Sequence, residues 1–322
     1  MLVCLVIEGQ ENVTWQQWVD LADACETHGF DGLFRSDHYL PFRRPADWGA
    51  TDAWSTITAL GAITQHIRLG SLVSPIGFRH PSQLAKVVVT ADHVSSGRVE
   101  LGLGAGWLDV EHRAFGFPFA SSTERSAALA EYIEVVHRLW DPSEDRVTFR
   151  GDHYQLEDCE ALPNGVQDPH PPLIIGGSAG PKSAALAARW ADEYNLYFLT
   201  PEDVAEKRER LTAACEAIGR DPGSLRISLL LNLLIGSDAA DLAERTERLS
   251  RVNEGSDAAD DVGGLGPERL VGTPSQIVER LQAYADAGIQ RVFLQHLLHE
   301  DLETIGMVGQ EVLPHAATIA DA

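Results

Sequence analysis

The sequence predicts a (β/α)8 barrel, a TIM barrel, interrupted by insertion segments. Three observations carry this. Short β-rich runs alternate with longer helical stretches from one end of the chain to the other, and there are eight such runs, whereas a doubly wound open sheet usually has fewer. The length of 322 residues is long for an ordinary domain but normal for a barrel with insertions.

The expected strands are 2–7, 32–35, 68–73, 99–104, 173–176, 193–198, 226–233 and 291–295, with amphipathic stretches such as 15–28, 82–94, 122–140, 182–190, 201–218 and 274–287 between them. Thr200-Pro201 and Thr273-Pro274 each set a capping hydroxyl before a proline suited to the first helical position. His28-Gly29, Ile218-Gly219 and Ala287-Gly288 supply the glycine that commonly ends a helix. Two regions break the rhythm. Residues 141–171 lack a helical period and contain the alternating segment YQLEDCEAL, which reads as an insertion with a short hairpin. Residues 253–272 are rich in Gly and Asp and read as a mobile loop before the last βα unit. Residues 1–322 together read as one barrel domain.

Composition narrows the function. Acidic residues outnumber basic ones 48 to 25, for a formal charge of −23, so the basic footprint of a nucleic-acid binder is missing. The acidity reads as a solvated surface, and any anionic cofactor has to be held by local donors against the overall field. The amino terminus lacks a basic segment and no apolar run reaches about eighteen residues, so neither a signal peptide nor a membrane span is expected. Cys4, Cys25, Cys159 and Cys215 are scattered, which fits neither a disulfide framework nor a zinc site. A cytoplasmic enzyme acting on a small molecule, without metal, is the expectation.

In a barrel the active site is built from the loops that follow the strands. Four such stretches carry chemistry. In Phe34-Arg35-Ser36-Asp37-His38-Tyr39, a carboxylate next to an imidazole can orient a hydride donor or pass a proton, although Asp37 as a loop cap beside an exposed His38 accounts for the same residues. Small residues in Gly70-Ser71-Leu72-Val73-Ser74-Pro75 permit close approach of a planar ring, or form an ordinary strand exit. Gly102-Leu103-Gly104-Ala105-Gly106-Trp107 lacks the spacing of a dinucleotide fingerprint, and its alternating glycines read as backbone lying against a flat ligand. Glu111 and His112 follow it without further metal ligands. The fourth stretch, Leu173-Ile174-Ile175-Gly176-Gly177-Ser178-Ala179-Gly180-Pro181, runs an apolar strand through a glycine turn into a helix. That order places backbone N–H groups and a helix dipole where a phosphate can sit.

Taken together, SDHY, LGLGAGW…EHRAFGFPF, PPLIIGGS…AARWADEYN and VGTPSQIVERLQAYADAGIQRVFLQ resemble the luciferase-like monooxygenase superfamily, and within it the branch that uses the 5-deazaflavin coenzyme F420. The resemblance covers nearly the whole chain in order. It implies a bacterial-luciferase-like barrel, often a homodimer, that transfers hydride between coenzyme F420 and an organic substrate. It places Asp37 and His38 near the deazaflavin ring; we expect His38 to be the proton donor or the group that polarises the substrate, with Asp37 as its orienter or as a ring contact. It further implies a non-proline cis peptide at Ser71–Leu72, contacts to ring and side chain from Ala105, Gly106 and Trp107, and phosphate binding by Gly176, Gly177, Ser178 and Ala179. An FMN-dependent monooxygenase on the same barrel, and a non-catalytic ligand-binding barrel, are the alternatives. In one respect the chain departs from the pattern: the sugar-phosphate dehydrogenases of the branch carry a glutamate where this chain has Trp107. With Phe115, Phe117 and Phe119 nearby, the departure points to an apolar mouth rather than a sugar-phosphate site.

Overall fold

The structure, a computed structural model, describes residues 1–42, 48–253, 266 and 268–319. Eight parallel strands close on themselves: β1 (Leu2–Ile7), β2 (Gly32–Arg35), β3 (Arg68–Pro75), β4 (Val99–Gly104), β7 (Leu173–Gly176), β8 (Glu193–Tyr197), β9 (Arg226–Ile235) and β11 (Arg291–His296). Each pairs with the next, β8 joins β9, and β11 returns to β1, with Leu2 opposite Arg291. The short β10 (Leu270–Gly272) pairs with the end of β9 beyond its contact with β8. The expected strands are all present. β3 and β9 run two residues further than expected, and β11 one.

Around the barrel lie α1 (Trp15–His28), α2 (Ala53–Ile63), α3 (Pro81–Ser95), α4 (Asp109–Phe115), α5 (Ser122–Trp140), α6 (Pro181–Trp190), α7 (Pro201–Glu216), α8 (Ala239–Asn253) and α9 (Pro274–Asp286). Thr200 accepts from the amide of Asp203, and Thr273 forms a capping box with Gln276, as their position before proline predicts. Gly29 ends α1 at φ 78°, a conformation that costs glycine little. The helix α2 was not among the expected stretches. It is rich in threonine and isoleucine and contains Gly61, all weak helix formers. It forms because Trp54, Ile57 and Leu60 are buried, and because Gly61 lets its backbone approach Ser95 of α3.

The first insertion is a hairpin, β5 (Arg146–Arg150) against β6 (Gln155–Glu160), with β5 alternating exposed and buried residues. In the second, residues 254–265 and 267, where a mobile loop was expected, lie outside the described residues.

The floor of the barrel is polar. Arg291, 1% exposed, donates from Nη1 to Glu100 Oε2 at 2.7 Å and to Glu193 Oε2 at 3.0 Å, linking β11 to β4 and β8. Phe34 and Phe293, packed edge to face with each other, lie 4.9 and 4.5 Å from its guanidinium. Burial works against ionisation of Glu100, but Arg291 and Arg68 outweigh it and hold the carboxyl below its ordinary range. Above this layer, Cys4, Val6, Leu72 and Ile174 pack with the two phenylalanines inside the barrel. Removing one partner from such a set leaves buried charge uncompensated. Arg291→Ala should therefore cost about 3–5 kcal/mol of stability, whereas a triple variant, Arg291→Met with Glu100→Gln and Glu193→Gln, should recover much of that loss. Urea unfolding of both variants checks this, and equal losses would contradict it.

Candidate functional site

The carboxyl ends of the strands gather the candidate residues. His38, in the loop after β2, meets Glu111 of α4 with Nδ1 2.8 Å from Oε2. Glu111 Oε1 accepts the amide of Tyr39 and, at 2.9 Å, that of Leu40. One fully buried carboxylate from beyond β4 thus fixes three consecutive residues beyond β2. Burial alone would lower the pKa of His38, but the hydrogen bond and charge of Glu111 outweigh it and raise the value above the ordinary imidazole range. For Glu111 burial acts upward, and His38 with the two amides pulls the value below the usual carboxylate range. In this pair Nδ1 faces the Glu111 carboxylate and Nε2 is left for other work.

Asp37 is not the orienter of His38, because its carboxylate is drawn the other way. Oδ2 accepts from Ser74 Oγ and Arg79 Nη1, both at 2.6 Å. Arg79 also binds Asp52 at 2.5 Å and the Tyr39 hydroxyl at 3.1 Å. Asp37 is 1% exposed, and its Oδ1 has no partner among the described residues. A buried acceptor left open in this way fits a ligand N–H. Across the mouth, Asn232 donates to Gln295, Gln295 to Glu8, and Gln10 to the other oxygen of Glu8 at 2.6 Å.

At the end of β3 the non-proline cis peptide joins Leu72 to Val73, one residue later than expected. The ladder with β4 runs unbroken through Ser71, paired with Leu101, and resumes at Ser74; the irregular step falls between them. The alternating glycines of β4 also have a different partner from the expected ligand. A Cβ on Gly104 would lie 2.7 Å from Val73, and one on Gly176 3.0 Å from it, so these glycines make room for Val73. Gly106, at φ 79°, turns the chain against Pro75 and His112. Trp107 stands 63% exposed with its ring 5.9 Å from that of His38. His112 is buried instead, its Nδ1 3.0 Å from the Leu108 carbonyl. Among the described residues no group of His, Cys, Asp and Glu could hold a metal ion.

The turn after β7 keeps only part of its expected donor set. The Gly177 amide donates to the Asn195 carbonyl at 3.1 Å, and that of Ala179 to the Tyr194 hydroxyl at 2.9 Å. Those two amides are therefore engaged within the protein. What remains is the amino end of α6, whose cap residue Gly180 has no side chain to satisfy the first-turn amides, with Ser178 and Lys182 exposed beside it. Other helices here, α1, α5 and α7, are capped by Thr14, Ser121 and Thr200. The donors of this stretch that stay open for an anion therefore lie at the start of α6 rather than at Gly177 and Ala179.

A family model described as luciferase-like monooxygenase matches residues 3–291. The chain is 29% identical over 321 residues to an F420-dependent glucose-6-phosphate dehydrogenase of Nakamurella multipartita, covering 92% of this chain and 91% of that one. A protein of the same name from Kineococcus radiotolerans is 28% identical, with 92% and 91% covered. Among solved structures, a monooxygenase from Streptomyces bottropensis superposes with a TM-score of 0.83 at 24% identity, covering 98% and 99% of the two chains. An F420-dependent secondary alcohol dehydrogenase does so at 0.82 with 19% identity and 98% of each chain covered. These two likenesses establish the barrel fold.

The His38–Glu111 pair has a pH signature. A raised imidazole contributes stability that is complete below the unfolded value of about 6.5 and is lost as pH rises through the folded value. A lowered carboxyl contributes stability present above about 4.3 and lost as pH falls through its folded value. Glu111→Gln should accordingly destabilise most between roughly pH 4.3 and 6.5, with the gap to the wild type narrowing as pH rises past the folded value of His38. Thermal midpoints across pH check this, and a pH-independent gap would exclude the ion pair.

Proposed function

The chain belongs to the luciferase-like monooxygenase family, and on that premise we propose that it is an oxidoreductase transferring hydride between coenzyme F420 and a small organic substrate. The observation that carries the reading is the His38–Glu111 pair, an imidazole held at the barrel mouth by a buried carboxylate. The curated relatives matched over more than nine-tenths of the chain are F420-dependent by name, which supports the choice of coenzyme.

The residues present fit such a group. The open Oδ1 of Asp37 suits a ring N–H of the deazaflavin, and the uncapped start of α6 with Ser178 and Lys182 suits its phosphate. Gly176 and the Ala105–Gly106 segment lie at the strand ends between them. When bound, the coenzyme supplies or accepts the hydride. Glu111 fixes the tautomer of His38, so that Nε2 is the nitrogen that can deliver a proton to a substrate atom gaining electron density. Asp37 acts on the coenzyme side and is itself positioned by Arg79 and Ser74. The assembly we propose, a homodimer, rests on the resemblance, and sedimentation velocity tests it.

Titrating the purified protein with coenzyme F420 and with FMN, following quenching of each cofactor's fluorescence, tests the coenzyme. Saturable binding of F420 in preference to FMN is expected, and the reverse preference would move the protein to the monooxygenase reading. His38→Asn should leave coenzyme binding nearly intact while cutting turnover by about 10²–10⁴-fold. Wild-type turnover in that variant would remove His38 from the chemistry. Gly177→Asp should weaken coenzyme binding far more than Ser178→Ala, whose loss should be about 1 kcal/mol. The aspartate adds negative charge beside the phosphate, and its Cβ would lie 2.6 Å from the Tyr194 hydroxyl that organises the turn.

A further inference from the structure

The two loops that bring His38 and Glu111 together also build a wall of aromatic rings. Phe42 lies 5.0 Å from the ring of His38 and 5.7 Å from that of Trp107. On the other side of the clamp, Tyr39 packs at 5.0 Å against Phe115 and at 5.1 Å against Phe78. Trp107 is 63% exposed, so the part of the wall beside His38 presents an apolar face to solvent. Single exposed apolar residues are common on proteins, but a contiguous set joined to a reactive group marks a binding surface.

We propose that the substrate is an uncharged aryl carbonyl compound, its ring seated against Trp107 and Phe42 and its carbonyl oxygen at His38. The proposal rests on the coenzyme reading above and deepens it. Continuity carries the argument: the rings of Phe42 and Trp107 lie 5.0 and 5.9 Å from the imidazole, so whatever covers them reaches the proton donor. Among the described residues, the guanidinium groups beside it are committed. Arg79 is held by Asp37 and Asp52, Arg113 by Asp109 at 2.7 Å, and Arg125 lies 4.0 Å over Phe119 with its Nε donating to the Gly106 carbonyl. A flat apolar group covers such a surface without leaving hydroxyls unpaired, whereas a sugar phosphate would leave many.

The reaction balances as a reduction. The carbonyl carbon gains a hydride from the reduced deazaflavin, and the carbonyl π pair moves onto oxygen. That oxygen takes a proton from His38 Nε2, which solvent then restores. The products are the aryl alcohol and the oxidised deazaflavin.

The probe is 2-acetonaphthone, with glucose 6-phosphate as the contrast. Binding is read by quenching of tryptophan fluorescence, first without coenzyme and then with it, and turnover by the absorbance of reduced F420. Saturable binding of the ketone without coenzyme is expected, weakened about three- to tenfold in Trp107→Ala and in Phe42→Ala. Coenzyme affinity should change less than about twofold in Phe42→Ala. Three results would overturn the proposal. Glucose 6-phosphate binds and the ketone does not; Phe42→Ala weakens the coenzyme as much as the ketone; or Trp107→Ala dissociates an oligomer while leaving ketone affinity unaltered. Because the first titration needs no coenzyme, a failure of F420 to bind would sink the coenzyme reading without being mistaken for a failure of the wall.

Discussion

A single guanidinium at the bottom of the barrel organises what happens at its top. Arg291 joins three strands through Glu100 and Glu193 while two phenylalanines pack beside it. Buried charge of this kind adds little net stability, since desolvation offsets most of the Coulomb gain. Its effect here is on register. A strand shifted by one residue would turn Arg291, Glu100 or Glu193 outward and strand the remaining charges. With the floor fixed, β2, β4 and β7 end at defined heights, and the loops carrying His38, Glu111 and the α6 turn start from defined places.

The barrel was legible because its strands are short, apolar and nearly all buried, as parallel strands between helices are. Helix ends marked by Thr-Pro and Gly were legible for the same local reason, as was the alternation of the hairpin. Where local composition and tertiary packing disagree, the reading fails. The threonine-rich α2 is helical only because Trp54, Ile57 and Leu60 find a core.

The site was half legible. Asp37 and His38 stand together in the sequence and at the mouth, yet their working partners lie far along the chain. Glu111 is 73 residues from His38, and Arg79 is 42 from Asp37. The sequence shows Glu111 only as a neighbour of His112, and no spacing rule connects it to the loop after β2. The glycines of β4 and β7 were read as space for a ligand, but part of that space belongs to Val73. A glycine reports a close approach without saying what approaches.

The short helix α4 holds two duties on one face. Glu111 and Phe115 are four residues apart, hence neighbours on that helix. The first grips the backbone around His38 and the second forms part of the mouth. Anyone retuning this mouth for a new compound, by replacing Phe115 with a larger or smaller ring, also tilts the lever that sets the imidazole. Such mutations will show strong epistasis with position 111, and selection for a new substrate will recover paired changes more often than single ones.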